Sequence, residues 1–290
     1  QYGWIPRLSY KYNKGELVLG GELRKHSSIH WGSLIYGENL PAGITKDYRY
    51  YQYDGGKNIY NFFLHKKYQL TERINILGEL QVANHKYSLN NEKYVGTEFS
   101  VSNTFLNPRI GINYRFTESL NVYSSFARVS REPRLKNYYD AAESSGGSVP
   151  QFEVDVYGNF IFDRPFVKPE VMNNVELGAS YQKDYFSVSV NLFYMLFDNE
   201  IIRSGQLDRF GQPVTGNIDK TLHKGIELTA VVKPFDGFHV IANATLSDNV
   251  IDKGVTYIRY RNTEGQRIVT PLDISGNKIG GFPSLLANGM

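Results

Sequence analysis

Hydrophobic and polar residues alternate along this chain in runs of about ten residues, and the runs come in pairs joined by tight polar turns. The clearest run is Arg109-Ile110-Gly111-Ile112-Asn113-Tyr114-Arg115-Phe116. Ile110, Ile112, Tyr114 and Phe116 fall on one side of a strand, and Arg109, Gly111, Asn113 and Arg115 on the other, because successive side chains of a strand point to opposite faces. A soluble sheet buries its apolar face under a second layer, whereas a membrane barrel turns that face to lipid and keeps the polar one inside. Everything else depends on which of the two applies.

The same alternation predicts strands over residues 2–12, 16–26, 58–69, from 74, 109–116, 120–130, 174–181, 187–194, 225–232 and 238–247, with an eleventh begun near Met290. Leu177 and Ala179 face away from Glu176 and Gly178, as Val190 and Leu192 do from Ser189 and Asn191. The predicted turns are Asn13-Lys14-Gly15, Leu70-Thr71-Glu72-Arg73, Thr117-Glu118-Ser119, Lys183-Asp184-Tyr185 and Pro234-Phe235-Asp236-Gly237. They fall at one end of the strands, and loops of roughly 17 to 40 residues fall at the other. Outer-membrane barrels show this asymmetry, and about ten tilted residues span an apolar band ~25 Å tall. The pattern therefore predicts an all-β, antiparallel, up-and-down transmembrane barrel. A soluble β-sandwich, solenoid or propeller would show shorter strands or a sharper repeat.

Composition sharpens this in two places. Tyr occurs 22 times and Phe 17 in 290 residues, and Tyr suits an interface where the ring lies in apolar surroundings and its hydroxyl in water. There is no cysteine, which excludes disulfides, thiolate metal sites and thiol catalysis. The net charge of +3 carries no basic stripe, so no nucleic-acid partner is expected. No apolar run approaches the ~18 residues of a membrane helix, so a membrane crossing has to use a closed barrel.

Four segments resemble the barrel domain of TonB-dependent outer-membrane receptors. They are Asn107-Pro108-Arg109-Ile110-Gly111-Ile112-Asn113-Tyr114 with Leu120-Asn121-Val122-Tyr123-Ser124-Ser125-Phe126-Ala127-Arg128; Arg131-Glu132-Pro133-Arg134-Leu135-Lys136-Asn137-Tyr138-Tyr139-Asp140-Ala141, similar to the Bacteroidetes form; Val167-Lys168-Pro169-Glu170 with Asn174-Val175-Glu176-Leu177-Gly178, Asn191-Leu192-Phe193-Tyr194 and Asp198-Asn199-Glu200-Ile201; and Lys224-Gly225-Ile226-Glu227-Leu228. The resemblance implies a 22-stranded barrel in the bacterial outer membrane, an N-terminal plug, and energy from the TonB–ExbB–ExbD complex acting through that plug. It also implies import of a scarce ligand, an iron–siderophore first, cobalamin or a glycan next. No plug, TonB box or terminal aromatic is recognised, so residues 1–290 are expected to be about half of such a barrel, an internal portion of a longer receptor. The alternatives are a passive porin, an adhesin or barrel-embedded hydrolase, and a soluble all-β carbohydrate-binding module.

The segment from 131 to 170 is the leading candidate for ligand contact, through Arg131, Arg134, Tyr138, Tyr139, Phe152, Tyr157 and Phe160. Arginine forks pair with carboxylate or catecholate oxygens, and rings stack on flat ligands. The competing reading is a loop packed on itself. Tyr50 and Tyr51, within the tyrosine-rich stretch 47–56, would line the pore mouth or continue an aromatic girdle, the second being favoured. Glu22, Glu79, Glu176 and Glu227 point inward on the alternation; they read as lumen lining rather than acid–base catalysts. His26 and His30 are spaced like a helical metal face but lie near a strand end with no third ligand. No phosphate loop, HExxH helix or serine elbow is present. Neither enzymatic activity nor a cofactor or resident metal is expected.

Overall fold

The computed structural model describes residues 1–207 and 213–289. Its strands are β1 (Tyr2–Trp4), β2 (Arg7–Tyr12), β3 (Gly15–Ser33), β4 (Arg49–Gln69), β5 (Ile74–Asn90), β6 (Phe99–Arg115), β7 (Leu120–Arg131), β8 (Phe152–Val154), β9 (Phe160–Pro165), β10 (Glu170–Lys183), β11 (Phe186–Leu207), β12 (Pro213–Phe235), β13 (Phe238–Lys253), β14 (Val255–Arg261), β15 (Arg267–Asp273) and β16 (Leu285–Gly289). One antiparallel sheet runs β1-β3-β4-β5-β6-β7-β10-β11-β12-β13-β16, with β2 also on β3. β1 and β2 are two pieces of one edge strand, separated at Pro6, which lacks an N–H; its carbonyl still accepts from Gly21 N at 3.0 Å. Proline is tolerated on an edge because one side of the ladder is unpaired. The large sheet thus has eleven strand positions, each beside its neighbour in sequence.

The short turns share one end, as the pattern predicts. Two of them use the same device: Thr71 Oγ1 accepts from Ile74 N at 3.0 Å, and Thr117 Oγ1 from Leu120 N at 3.0 Å. Each hydroxyl stands in for a turn carbonyl. Gly237 supplies the positive φ (82°) of the β12–β13 turn, a conformation that costs glycine least.

The outward face settles which way the apolar residues look. Ile110 is 57% exposed, Leu177 50%, Val190 38% and Leu228 43%. Among the described residues no protein layer covers them. An apolar face of this extent is foreign to a soluble surface and fits acyl chains. On the inner face polar groups pair across strands. Tyr123 Oη donates to Asn191 Oδ1 at 2.9 Å, and Asn191 Nδ2 to Glu227 Oε2 at 3.1 Å. Large rings lie flat over facing glycines here: a Cβ on Gly225 would come within 2.6 Å of the Phe193 ring and 2.3 Å of the Leu246 carbonyl oxygen.

Several strands run much further than predicted: β3 has 19 residues, β4 21, β11 22 and β12 23. At ~3.4 Å per residue and ~40° tilt, β11 rises roughly 55 Å, about twice the apolar band. The band ends near the paired row Phe126, Val175, Tyr194, where Lys224 and Asp248 already face outward. Beyond it the outer face is only partly apolar and the inner face mixes polar groups with Leu89, Phe99 and Val101, so the phase of the alternation is lost while backbone pairing continues, for example Ser28 opposite Gly55. The stretches at 27–33, 49–57 and 99–104, expected as loop, are these extensions. The loop expected from about 248 to 280 instead begins as the continuation of β13 and then carries the β14–β15 hairpin.

Candidate functional site

The extended strands form a wall above the membrane band, and the segment after β7 folds against it. The segment holds a short helix α1 (Leu135–Tyr138), a 3-10 turn (Ala141–Gly146) and the small β8–β9 hairpin. Its base is closed by the first pair of the β7–β10 ladder: Arg131 Nη2 meets Glu170 Oε2 at 2.6 Å and Ile201 O at 3.2 Å. One residue on, Glu132 reaches the inner face of β4 and β5. Lys57 Nζ lies 2.5 Å from one carboxylate oxygen and His85 Nδ1 2.8 Å from the other. Burial works to raise the Glu132 pKa, but the contacts with His85 and Lys57 win and bring it down to about 2. An anion removed from water is retained only with such partners.

Beyond this anchor lies the main apolar cluster: Leu89, Phe99 and Val101 of the wall with Tyr138, Tyr139, Ala141 and Phe152 of the segment. Tyr138, Tyr139 and Phe152 are each 1% exposed or less. Phe152 stands edge-on to Phe99 with centroids 5.1 Å apart, a favourable quadrupole geometry. Burial raises the pKa of both tyrosines, and Tyr138 Oη accepts from Asn103 Nδ2 at 3.1 Å. α1 is also held to β12, since Asn137 Nδ2 donates to Thr215 Oγ1 at 2.7 Å.

The sequence-derived candidates therefore separate. Tyr138, Tyr139 and Phe152 present no surface to a ligand in this arrangement; aromatic and apolar spacing within an irregular stretch signals a self-packing loop as readily as a binding one. Phe160 packs on the rim of the same cluster. Arg131 is engaged with Glu170 but remains 56% exposed. Arg134 is exposed, with its backbone N–H donating to Asn137 Oδ1 at 3.0 Å. Tyr157 is 87% exposed at the tip of the β8–β9 hairpin, whose turn is pinned by Asp155 accepting from Tyr157 N and Asn159 N at 2.8 Å each.

Tyr50 and Tyr51 lie on the first residues of β4, half-buried and edge-to-face at 5.3 Å. Tyr51 also stacks with Tyr53, whose ring lies on His30 at 4.9 Å. Burial lifts the Tyr53 phenol to about 12. These rings stand above Tyr60 and Phe62, the last outward apolar residues of β4, beside His30 of β3. An aromatic belt lies near the short turns, in the pairs Tyr114–Phe116 and Phe235–Phe238 at 6.0 and 5.2 Å. Its members are scattered in sequence and converge only through strand register.

The inward carboxylates are individually partnered. Glu22 meets Arg24 at 2.6 Å, Glu79 meets His65 at 3.1 Å, and Glu176 accepts from Asn174 Nδ2 at 2.7 Å. A concavity of about 510 Å³ opens on this face near the turns, lined among others by Arg109, Asn113, Tyr123, Ser125 and Glu176. A second buried polar group escaped the sequence reading. Higher up, His223 Nε2 lies 3.1 Å from Glu200 Oε2 and its Nδ1 2.8 Å from Asn249 Oδ1, while Thr221 donates to Glu200. Burial works against both charges, yet their mutual contact lowers Glu200 and raises His223. Asn199, at φ 54°, turns the strand just before Glu200. Among the described residues no three His, Cys, Asp or Glu side chains cluster to hold a metal.

The family model described as "TonB dependent receptor-like, beta-barrel" matches residues 1–290. A comparison with curated proteins gives no match. Among solved structures, the siderophore receptor PiuA from Acinetobacter baumannii is similar at TM-score 0.65 and 15% identity, over 99% of this chain and 43% of that one. The copper transporter OprC gives TM-score 0.65 and 14% identity over 86% and 37%. The ferric yersiniabactin uptake receptor FyuA from Yersinia pestis gives 0.61 and 14% over 99% and 45%. The chain spans less than half the length of these structures. With its lipid-facing strands, asymmetric turns and full-length family match, the chain belongs to the TonB-dependent receptor β-barrel family, whose members are receptors of the bacterial outer membrane and not enzymes.

Proposed function

We propose that this chain is the barrel portion of an active-transport receptor that captures a metal chelate outside the cell, a ferric siderophore in the first instance. Import would draw on the TonB–ExbB–ExbD complex acting through a plug, with no covalent bond made or broken. The observation that carries this reading is the two-faced sheet itself. Its apolar side meets lipid, and its polar inner side continues upward into a wall against which the 131–170 segment is seated. The names of similar structures support the ligand class, since the ferric-catecholate import receptor Fiu and the ferric citrate transporter FecA share the fold.

Contact would fall to exposed groups around that segment: Arg131, Arg134 and Tyr157, with Tyr50 and Tyr51 on the facing wall. Arginine offers a planar fork to catecholate or carboxylate oxygens, and the rings offer stacking surfaces. The test is uptake of labelled ferric chelates by a receptor-deleted strain complemented with the gene, with and without functional TonB. Saturable uptake that requires TonB is expected. Equal uptake without TonB would instead support a passive porin.

A further inference from the structure

We propose that His26 and His30, with Ser28 between them, form a two-imidazole binding site for a borderline-soft divalent cation, Cu²⁺ or Zn²⁺, on the inner wall above the membrane band. The spacing looks wrong for metal binding on a strand. Residues four apart on one face have Cα atoms roughly 13 Å apart, too far for two imidazoles that stand upright. Here the rings fold toward each other along β3. His26 Nε2 lies 3.1 Å from Ser28 Oγ, and His30 Nε2 lies 2.7 Å from the same oxygen. Both nitrogens therefore converge on one point, within about 6 Å of each other. An ion bound at ~2.0–2.1 Å from each draws them to roughly 4 Å or less, a change that small ring torsions supply. Ser28 Oγ then turns aside or takes a weak third position.

The neighbouring strand is shaped to permit this fold. Opposite Ser28 stands Gly55, and a Cβ there would lie 3.1 Å from His30 Cδ2 and Nε2. The missing side chain is the space in which the ring lies. Tyr53 stacks under the same imidazole at 4.9 Å and 10°, which fixes its plane. The nearby cations do not oppose a second positive charge. Lys57, opposite His26, is paired with Glu132, and Arg24 with Glu22. Imidazole nitrogens without thiolate or carboxylate donors favour Cu²⁺ and Zn²⁺ over Mg²⁺ or Ca²⁺. His30 is exposed, so the ion has an approach from the extracellular side.

The test uses the protein purified in detergent from the outer membrane, titrated with Cu²⁺ and followed by electron paramagnetic resonance and calorimetry. One Cu²⁺ per chain with a signature of two imidazole nitrogens is expected at this site. His26→Ala or His30→Ala should weaken that site at least tenfold and leave one nitrogen at most, whereas His65→Ala should change neither quantity. Gly55→Val, which drives a side chain into the His30 ring, should weaken it several-fold with both histidines intact. Heat-modifiable migration on gels confirms that each variant is folded. A copper signal unchanged in the His26→Ala/His30→Ala double variant, or no two-nitrogen signal in the unmodified protein, would overturn the proposal.

Discussion

Glu132→Gln is the perturbation that most directly tests how the 131–170 segment is held. The side chain is 12% exposed and bound by Lys57 and His85, and its pKa falls from the ordinary 4.5 to about 2. At 1.36 kcal/mol per unit the ionised form contributes on the order of 3 kcal/mol to seating the segment. Because the pKa is depressed on folding, this stability is complete above pH 4.5 and is lost as the pH falls toward 2. Glutamine keeps the shape, removes the charge and leaves Lys57 partly desolvated without its anion, which also costs several kcal/mol. Amide exchange at Tyr138 and Tyr139 should therefore accelerate about a hundredfold at neutral pH, while exchange in β10 and β11 stays unchanged. The Lys57→Met/Glu132→Leu pair should recover most of the protection, since an apolar pair of similar size often replaces a buried ion pair without loss. Exchange at Tyr138 and Tyr139 within threefold of the unmodified protein would refute this account of the anchor.

Three further outcomes follow from the geometry. Leu177→Arg places a charge on the lipid face of β10 and should cost about 2–4 kcal/mol in urea unfolding from liposomes, against less than about 1 for Ser180→Arg on the inner face. Gly225→Ala brings a Cβ within 2.3 Å of a backbone oxygen that cannot swing away; the same assay should show a loss of about 1–3 kcal/mol, as for other overpacked sites. The His223–Glu200 tie should hold best between the ordinary values of 4.5 and 6.5. The raised histidine loses its contribution as the pH climbs through its folded-state pKa, and the lowered glutamate loses its own as the pH drops through its folded-state value. A pH series of amide exchange around Thr221 and Asn249 should show protection falling on both sides, and His223→Gln should flatten the alkaline limb.

The strand order was legible wherever one face meets lipid and the other water, because Leu177 beside Glu176, or Val190 beside Asn191, announces both period and direction. Legibility stopped where the contrast stopped. His26 closes the strand predicted over 16–26, whereas Ser28 and His30, expected as loop, continue β3 with their backbone fully paired with β4. The same blindness covers the site. Tyr138 and Tyr157 look alike in a list of loop aromatics, yet Tyr138 lies under Phe152 and Leu89 while Tyr157 stands in solvent at a hairpin tip. That difference comes from long-range contacts, such as Asn103 with Tyr138 and Glu132 with Lys57, and no local pattern encodes them. The convergence of two histidines on Ser28 likewise depends on a glycine 27 residues away in sequence and opposite in register.

Because the chain has no cysteine, single-cysteine variants along β10 offer the most direct check of the central orientation. Val175→Cys, Leu177→Cys and Ala179→Cys should resist a membrane-impermeant thiol reagent in intact outer membranes and, once spin-labelled, should be relaxed by lipid-dissolved oxygen. Glu176→Cys, Ser180→Cys and Gln182→Cys should show the opposite behaviour, reacting with reagent and relaxed by a water-soluble nickel chelate. A two-residue period of that phase is the predicted result. Equal protection at all six positions, or a period of the reverse phase, would contradict it.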